Sequence, residues 1–313
     1  MTHHLPQLHR PFLTDAGLET DLIFNRGMDL PCFSSVNLIK SEEGRAILDD
    51  YFRSFLELAE RTRMGCVLET ATWRASPDWA PELDVSREEL DELNRAAVKM
   101  LAPLKAEFAG RGVTLVVSGC IGPRGDGYDP GAIMSVDEAE AYHRHQAAVL
   151  AGAGADMLSA LTMTNVNEAI GIVRAAKALA IPAVISFTVE TDGRLPTGDT
   201  LQQAITAVDD ATDRYPAYFM INCAHPIHFD GVLETGGDWV QRLGGLRANA
   251  SRCSHAELDA MTELDDGDPV DLANRYRDLH DRFPQLRVLG GCCGTDIRHV
   301  RAIAERVCER AAA

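Results

Sequence analysis

Arg287-Val288-Leu289-Gly290-Gly291-Cys292-Cys293-Gly294-Thr295 joins an apolar run to two adjacent cysteines bracketed by glycines. Residues 287–291 have the length and composition of a buried strand that ends at the pair. Neighbouring residues of an extended strand point to opposite faces, so both sulfurs reach one point only if the chain turns at Cys292. Gly290, Gly291 and Gly294 supply the backbone freedom for that turn.

Seven similar runs precede this one, at residues 12–15, 66–69, 115–119, 156–160, 183–187, 218–223 and 243–249. Each is followed by a helical pattern, and strands that alternate with helices pair in parallel. Between the first two runs, Arg45, Leu48, Tyr51, Phe52, Phe55, Leu58 and Ala59 recur at helical spacing and place the apolar side chains on one face. Ser86 with Glu89 and Ser135 with Glu138 have the Ser-x-x-Glu spacing of a helix start. Eight strand–helix units in 313 residues predict an α/β fold, a closed (β/α)8 TIM barrel rather than an open doubly wound sheet. No proline- or serine-rich linker divides the chain, and the acidic stretch 265–269 reads as a turn, so residues 1–313 are expected to form one domain.

In such a barrel the reactive groups gather where strands end. Cys223 ends the sixth run and Cys292-Cys293 the eighth, so three sulfurs distant in sequence meet on one rim. Three thiolates make an open zinc site, with Zn2+ keeping its fourth position for a substrate. Two other readings of the pair are small buried side chains and a vicinal disulfide. The remaining cysteines, Cys32, Cys66, Cys120, Cys253 and Cys308, share no motif and are expected in the core.

Composition narrows the partners. With 47 acidic residues against 30 Lys and Arg, the formal charge of -17 excludes a phosphate-neutralising, nucleic-acid-binding surface. Residues 1–10 lack the apolar core of a signal peptide, and no apolar run approaches the ~20 residues that span a bilayer. A cytoplasmic protein with reduced thiols and no membrane partner is expected.

Three cysteine ligands over-neutralise a zinc ion and leave a bound substrate sulfur electron-rich, which suits attack on a methyl group better than hydrolysis. Here the chain resembles the homocysteine S-methyltransferase family over nearly its whole length. The resemblance lies in Asp15-Ala16-Gly17 with Thr20, Thr70-Ala71-Thr72-Trp73, Ile121-Gly122-Pro123, Asn222-Cys223 and Gly290 to Thr295. It implies Cys223, Cys292 and Cys293 as zinc ligands, with Asp15, Ala16, Gly17, Glu69, Thr70, Trp73 and Asn222 around the substrates. No catalytic residue beyond the zinc-activated thiol is expected, and the partners are a small thiol acceptor, homocysteine by resemblance, and a small onium methyl donor. A cationic donor suits the indole face of Trp73.

The chain departs from the family where substrates are chosen. Leu161, in Ser159-Ala160-Leu161-Thr162, occupies the position where the family usually has a glutamate that resembles a counter-ion for the acceptor's ammonium. A leucine leaves that ammonium unpaired, at a desolvation cost. Asp15, Glu19 or Glu69 can supply the charge, Glu69 being the preferred substitute; otherwise the acceptor is a different thiol or selenol. Ala16 replaces a usual glycine, and Arg74 stands where betaine-using members have a second aromatic, so betaine is disfavoured. A thiol-binding module for a corrinoid or folate partner is the competing class. By the same resemblance, the C-terminal dimerisation extension of betaine-using relatives is not expected, and oligomeric state is left open. His225 and His228, just after Cys223, stay outside the expected ligand set.

Overall fold

The computed structural model describes residues 4–308. Residues 1–3 of the amino-terminal stretch, and 309–313 of the expected domain, lie outside the described residues. Eight strands alternate with eight principal helices: β1 Phe12–Thr14, β2 Gly65–Glu69, β3 Leu115–Ile121, β4 Met157–Met163, β5 Ala183–Phe187, β6 Tyr218–Asn222, β7 Leu243–Ala248 and β8 Val288–Gly291. The helices that follow them in turn are α1 Glu42–Thr62, α2 Arg87–Ala109, α3 Val136–Ala153, α4 Val166–Ala178, α5 Leu201–Thr212, α6 Pro226–Leu233, α7 Pro269–Arg282 and α8 Ile297–Cys308. Every strand pairs in parallel with the next, and β8 returns to β1 through Phe12 opposite Val288 and Leu13 opposite Leu289, closing a TIM barrel.

The strands read as apolar runs because both of their faces are covered. Outside the barrel α1 buries Leu48, Tyr51, Phe52, Phe55, Leu58 and Ala59. Each large side chain of that set contributes about 1.5–3 kcal/mol on removal from water. The expected helix starts are formed: the Ser86 hydroxyl accepts from the Glu89 N–H at 3.1 Å, and Ser135 and Glu138 complete a capping box.

Inside the barrel, alternate residues of each strand stack in layers. The lower layers are apolar, with Phe12, Val67, Val116, Met157, Val184, Tyr218, Met220 and Val288 in contact. One step further along the strands the inward positions become Thr14, Glu69, Ser118, Ser159, Ser186, Asn222 and Arg247, all buried. This change from apolar to polar turns the upper end of the barrel into the floor of a site.

Three strands end one residue earlier than their sequence suggests, at Thr14, Asn222 and Ala248. Cys223 leaves the sheet because its backbone is left-handed, φ 53°. The expected turn at the cysteine pair is also differently built. Gly290 and Gly291 stay in β8, and only Gly294 has a positive φ, 77°. The two strand glycines provide room instead: a Cβ on Gly290 would strike the Thr14 side chain and come within 2.7 Å of the Asp15 carbonyl, and one on Gly291 would strike Thr295.

Candidate functional site

The C-terminal ends of the strands surround a cavity of about 420 Å³. Asp15, Ala16, Gly17, Glu69, Thr70, Trp73, Asn222, Cys223, Cys292 and Cys293, the residues singled out in the sequence, all line it. The Sγ atoms of Cys223, Cys292 and Cys293 lie within 4.8 Å of one another, and Cys223 Sγ is 3.9 Å from Cys293 Sγ. Tetrahedral zinc with bonds of about 2.3 Å separates its sulfurs by about 3.8 Å, so the cluster has the spacing of a thiolate metal site. All eight cysteines are free thiols, including the vicinal pair.

Each sulfur has one polar neighbour of its own. Asn222 Nδ2 lies 3.7 Å from Cys292 Sγ, Thr162 Oγ1 lies 3.7 Å from Cys223 Sγ, and the Tyr128 hydroxyl lies 3.6 Å from Cys293 Sγ. Asn222 is itself fixed, because its Oδ1 accepts from the Thr162 N–H at 2.9 Å and the Ser186 hydroxyl at 2.6 Å. A break in register between Ala160 and Met163 of β4, with Thr162 at φ 64°, turns that residue toward the cluster. Tyr128, on the loop after β3, stacks on His255 with ring centroids 3.9 Å apart, and His255 Nε2 is bonded to the Cys223 carbonyl at 2.7 Å.

The protonation of the cluster is shared. The Cys292 thiol is held well below its ordinary range by hydrogen bonds from Cys223 and Cys293, helped by the Arg247 charge. Cys223 is pushed well up by its hydrogen bond to Cys292 and then by Cys293 and burial. The cluster thus favours the thiolate at Cys292 and the thiol at Cys223.

The first loop is locked against the last. Gly17 N–H donates to the Thr295 carbonyl at 3.3 Å and Gly294 N–H donates to Thr20 Oγ1 at 3.1 Å. A Cβ on Gly17 would lie 2.5 Å from the Cys292 carbonyl oxygen, so only glycine permits this approach. Asp15 accepts from Arg247 Nη1 at 2.7 Å, with both side chains buried. Burial raises the Asp15 carboxyl, against the opposing pull of Arg247.

Glu69 ends β2 on the cavity floor. Burial pushes its carboxyl up to about 7, against the Arg247 charge, and its Oε2 has no hydrogen-bond partner. Glu19 is engaged by the Ser35 hydroxyl at 2.7 Å. Leu161 also lines the cavity, as a buried apolar side chain whose carbonyl accepts from Trp73 Nε1 at 3.2 Å. The Trp73 ring faces the Arg74 guanidinium at 5.0 Å. Thr70 Oγ1 accepts from the Cys120 N–H at 2.9 Å and shares a hydrogen bond with Thr72 Oγ1 at 2.7 Å. His225 caps α6 through the Ile227 N–H, and His228 bonds the Arg252 carbonyl; neither joins the sulfur cluster.

Arg247, Thr162, Tyr128 and His255 had not been identified in the sequence. For Arg247 a signal existed: an arginine at an inward position of an otherwise apolar strand. The other three meet the cysteines only through the tertiary fold.

The homocysteine S-methyltransferase family model matches residues 12–307. Homocysteine S-methyltransferase 4 of Zea mays is 27% identical over 266 residues, covering 78% of this chain and 75% of the relative. Selenocysteine Se-methyltransferase of Brassica oleracea var. italica is 27% identical over 188 residues, 58% of this chain and 51% of the relative. The crystal structure of the homocysteine methyltransferase MmuM from Escherichia coli, in its oxidized form, has a TM-score of 0.74 at 20% identity over 95% of this chain and 96% of that chain. Its metallated form gives 0.68 at 22% identity and the same coverage. At such identities the structural likeness speaks to the fold alone. The match along almost the entire barrel establishes that the chain belongs to the homocysteine S-methyltransferase family.

Proposed function

We propose that residues 1–313 act as one zinc-dependent S-methyltransferase domain that moves a methyl group from a small onium donor to the thiol of homocysteine. The observation that carries this reading is the convergence of Cys223, Cys292 and Cys293 Sγ atoms at one wall of a cavity. Zinc, when bound there, supplies the positive charge that keeps an acceptor thiol deprotonated at neutral pH. Cys223, Cys292 and Cys293 would hold it, and Asn222, Thr162 and Tyr128 would orient those ligands through the contacts to sulfur.

The other residues bind and align. Glu69 is the counter-ion for the acceptor's ammonium, since Asp15 is engaged by Arg247 and Glu19 by Ser35, whereas Glu69 keeps an open oxygen. Asp126, Asp259, Glu263 and Asp265 also line the cavity, where Arg74 pairs with Asp126, and this acidic excess favours a cation such as S-methylmethionine or S-adenosylmethionine. The acceptor sulfur forms a bond to the donor methyl as the methyl–sulfur bond of the donor breaks. A neutral thioether leaves, and the acceptor's thiol proton has gone to solvent. Such a displacement depends on positioning, with apolar Phe24, Phe33 and Trp73 lining the way and limiting water.

Leu161 and the similarity to the Brassica selenocysteine enzyme favour, as a second reading, a different thiol or selenol acceptor. Zinc-loaded protein incubated with S-methylmethionine and homocysteine is expected to form methionine, detected by mass spectrometry. Cys292→Ala should abolish both turnover and zinc retention while leaving the far-ultraviolet spectrum unchanged. Binding of thiol with no turnover of any onium donor would instead identify a thiol-binding module.

A further inference from the structure

We propose that Arg247 is a specificity-determining residue that holds the acceptor's carboxylate while Glu69 holds its ammonium, a step that rests on the thiol-acceptor reading above. Both side chains lie on the cavity floor, each 4% exposed. Arg247 donates from Nη1 to Asp15 at 2.7 Å and from Nη2 to the Ala16 carbonyl at 3.3 Å, but its buried Nε has no partner. Glu69 Oε2 is likewise buried and unmatched. Leaving a buried donor or acceptor open is costly, so native sites that do so are usually completed by something else.

Among the described residues, no hydrogen bond or ion pair joins Glu69 to Arg247. A carboxyl and a guanidinium thus share one floor without closing on each other, and Asp15 fixes the guanidinium where it is. A group with ammonium and carboxylate on one carbon would present each of these two side chains with an opposite charge. Leu161 adds no third charge to the floor. The acceptor is therefore an α-amino acid thiol, chosen by both ends of its head group.

Cobalt-loaded protein, titrated with thiols and followed by its sulfur-to-metal charge-transfer band, separates the contributions. Homocysteine is compared with 3-aminopropanethiol, which lacks the carboxylate, and 4-mercaptobutanoate, which lacks the ammonium. Homocysteine should bind at least about tenfold more tightly than either, because a site built for a polar group rejects the analogue without it. Arg247→Lys should close the gap to 3-aminopropanethiol without changing that ligand's own affinity, and Glu69→Gln should do the same for 4-mercaptobutanoate. Equal weakening of homocysteine and 3-aminopropanethiol by Arg247→Lys would assign the arginine a purely structural role and overturn the proposal. So would a wild-type protein that does not discriminate among the three, a result that needs no variant to fold. A band that no thiol perturbs contradicts the acceptor reading itself.

Discussion

Burial holds the Glu69 carboxyl at about 7 against an ordinary value of 4.5, despite Arg247 nearby, and the sign of its effect on stability follows. The folded state keeps a proton on Glu69 that the unfolded chain has lost, so its contribution is present below about 4.5 and lost as pH rises through about 7. The charged groups around it are Asp15 and Arg247, with Cys120 and Tyr218 also within electrostatic reach. Glu69→Gln should therefore stabilise the protein at pH 8, by up to on the order of 3 kcal/mol, and change little at pH 4. Urea unfolding at the two pH values checks this; equal effects at both would contradict it. Among single residues, the three cysteines were legible in the sequence because each sits at a strand end beside residues that fix the chain's direction. Arg247 carries a weaker signal: an arginine in an apolar run stands out, but its role is defined only by the layer it joins.

The glycines of β8 show how an element places chemistry. Sequence alone suggested that they turn the chain, whereas Gly290 and Gly291 are straight strand residues that give Thr14 and Thr295 room. Gly290→Ala should cost about 2 to 3 kcal/mol through overpacking against β1, and should weaken zinc retention because it shifts the adjacent pair. Differential unfolding with and without zinc reads both effects; unchanged stability would show that β1 yields. The loop after β3 is the least legible element. Its sequence, Gly122 to Asp126, is compatible with either a surface turn or part of a substrate lid, and two residues on Tyr128 reaches Cys293 while stacking on His255. Tyr128→Phe keeps the stack and removes the hydroxyl, so zinc affinity should fall roughly tenfold with the fold intact. A competitive chelator titration that finds no change would remove Tyr128 from the support of the site.

Across the whole molecule, barrel closure is what converts two sequence-distant motifs into one site. Parallel strands in order from β1 to β8 place the ends of β6 and β8 on one rim, with β7 between them carrying Arg247 on the floor. The alternation of apolar runs and helical patterns made this architecture readable before any coordinates, since each strand is covered on both faces and each helix on one. No helix among the described residues is long and apolar enough to cross a membrane. The cavity lining carries more acidic than basic side chains, as the chain does, and such a field favours cations and weakens with salt. Zinc should raise the thermal transition of the barrel, because it binds only where the rim has formed. The most direct test is X-ray absorption at the zinc edge of the loaded protein. Three sulfurs at about 2.3 Å and one lighter neighbour are expected, changing to four sulfurs when homocysteine is added. Fewer than three sulfurs before addition, or an unchanged shell after it, would contradict the account.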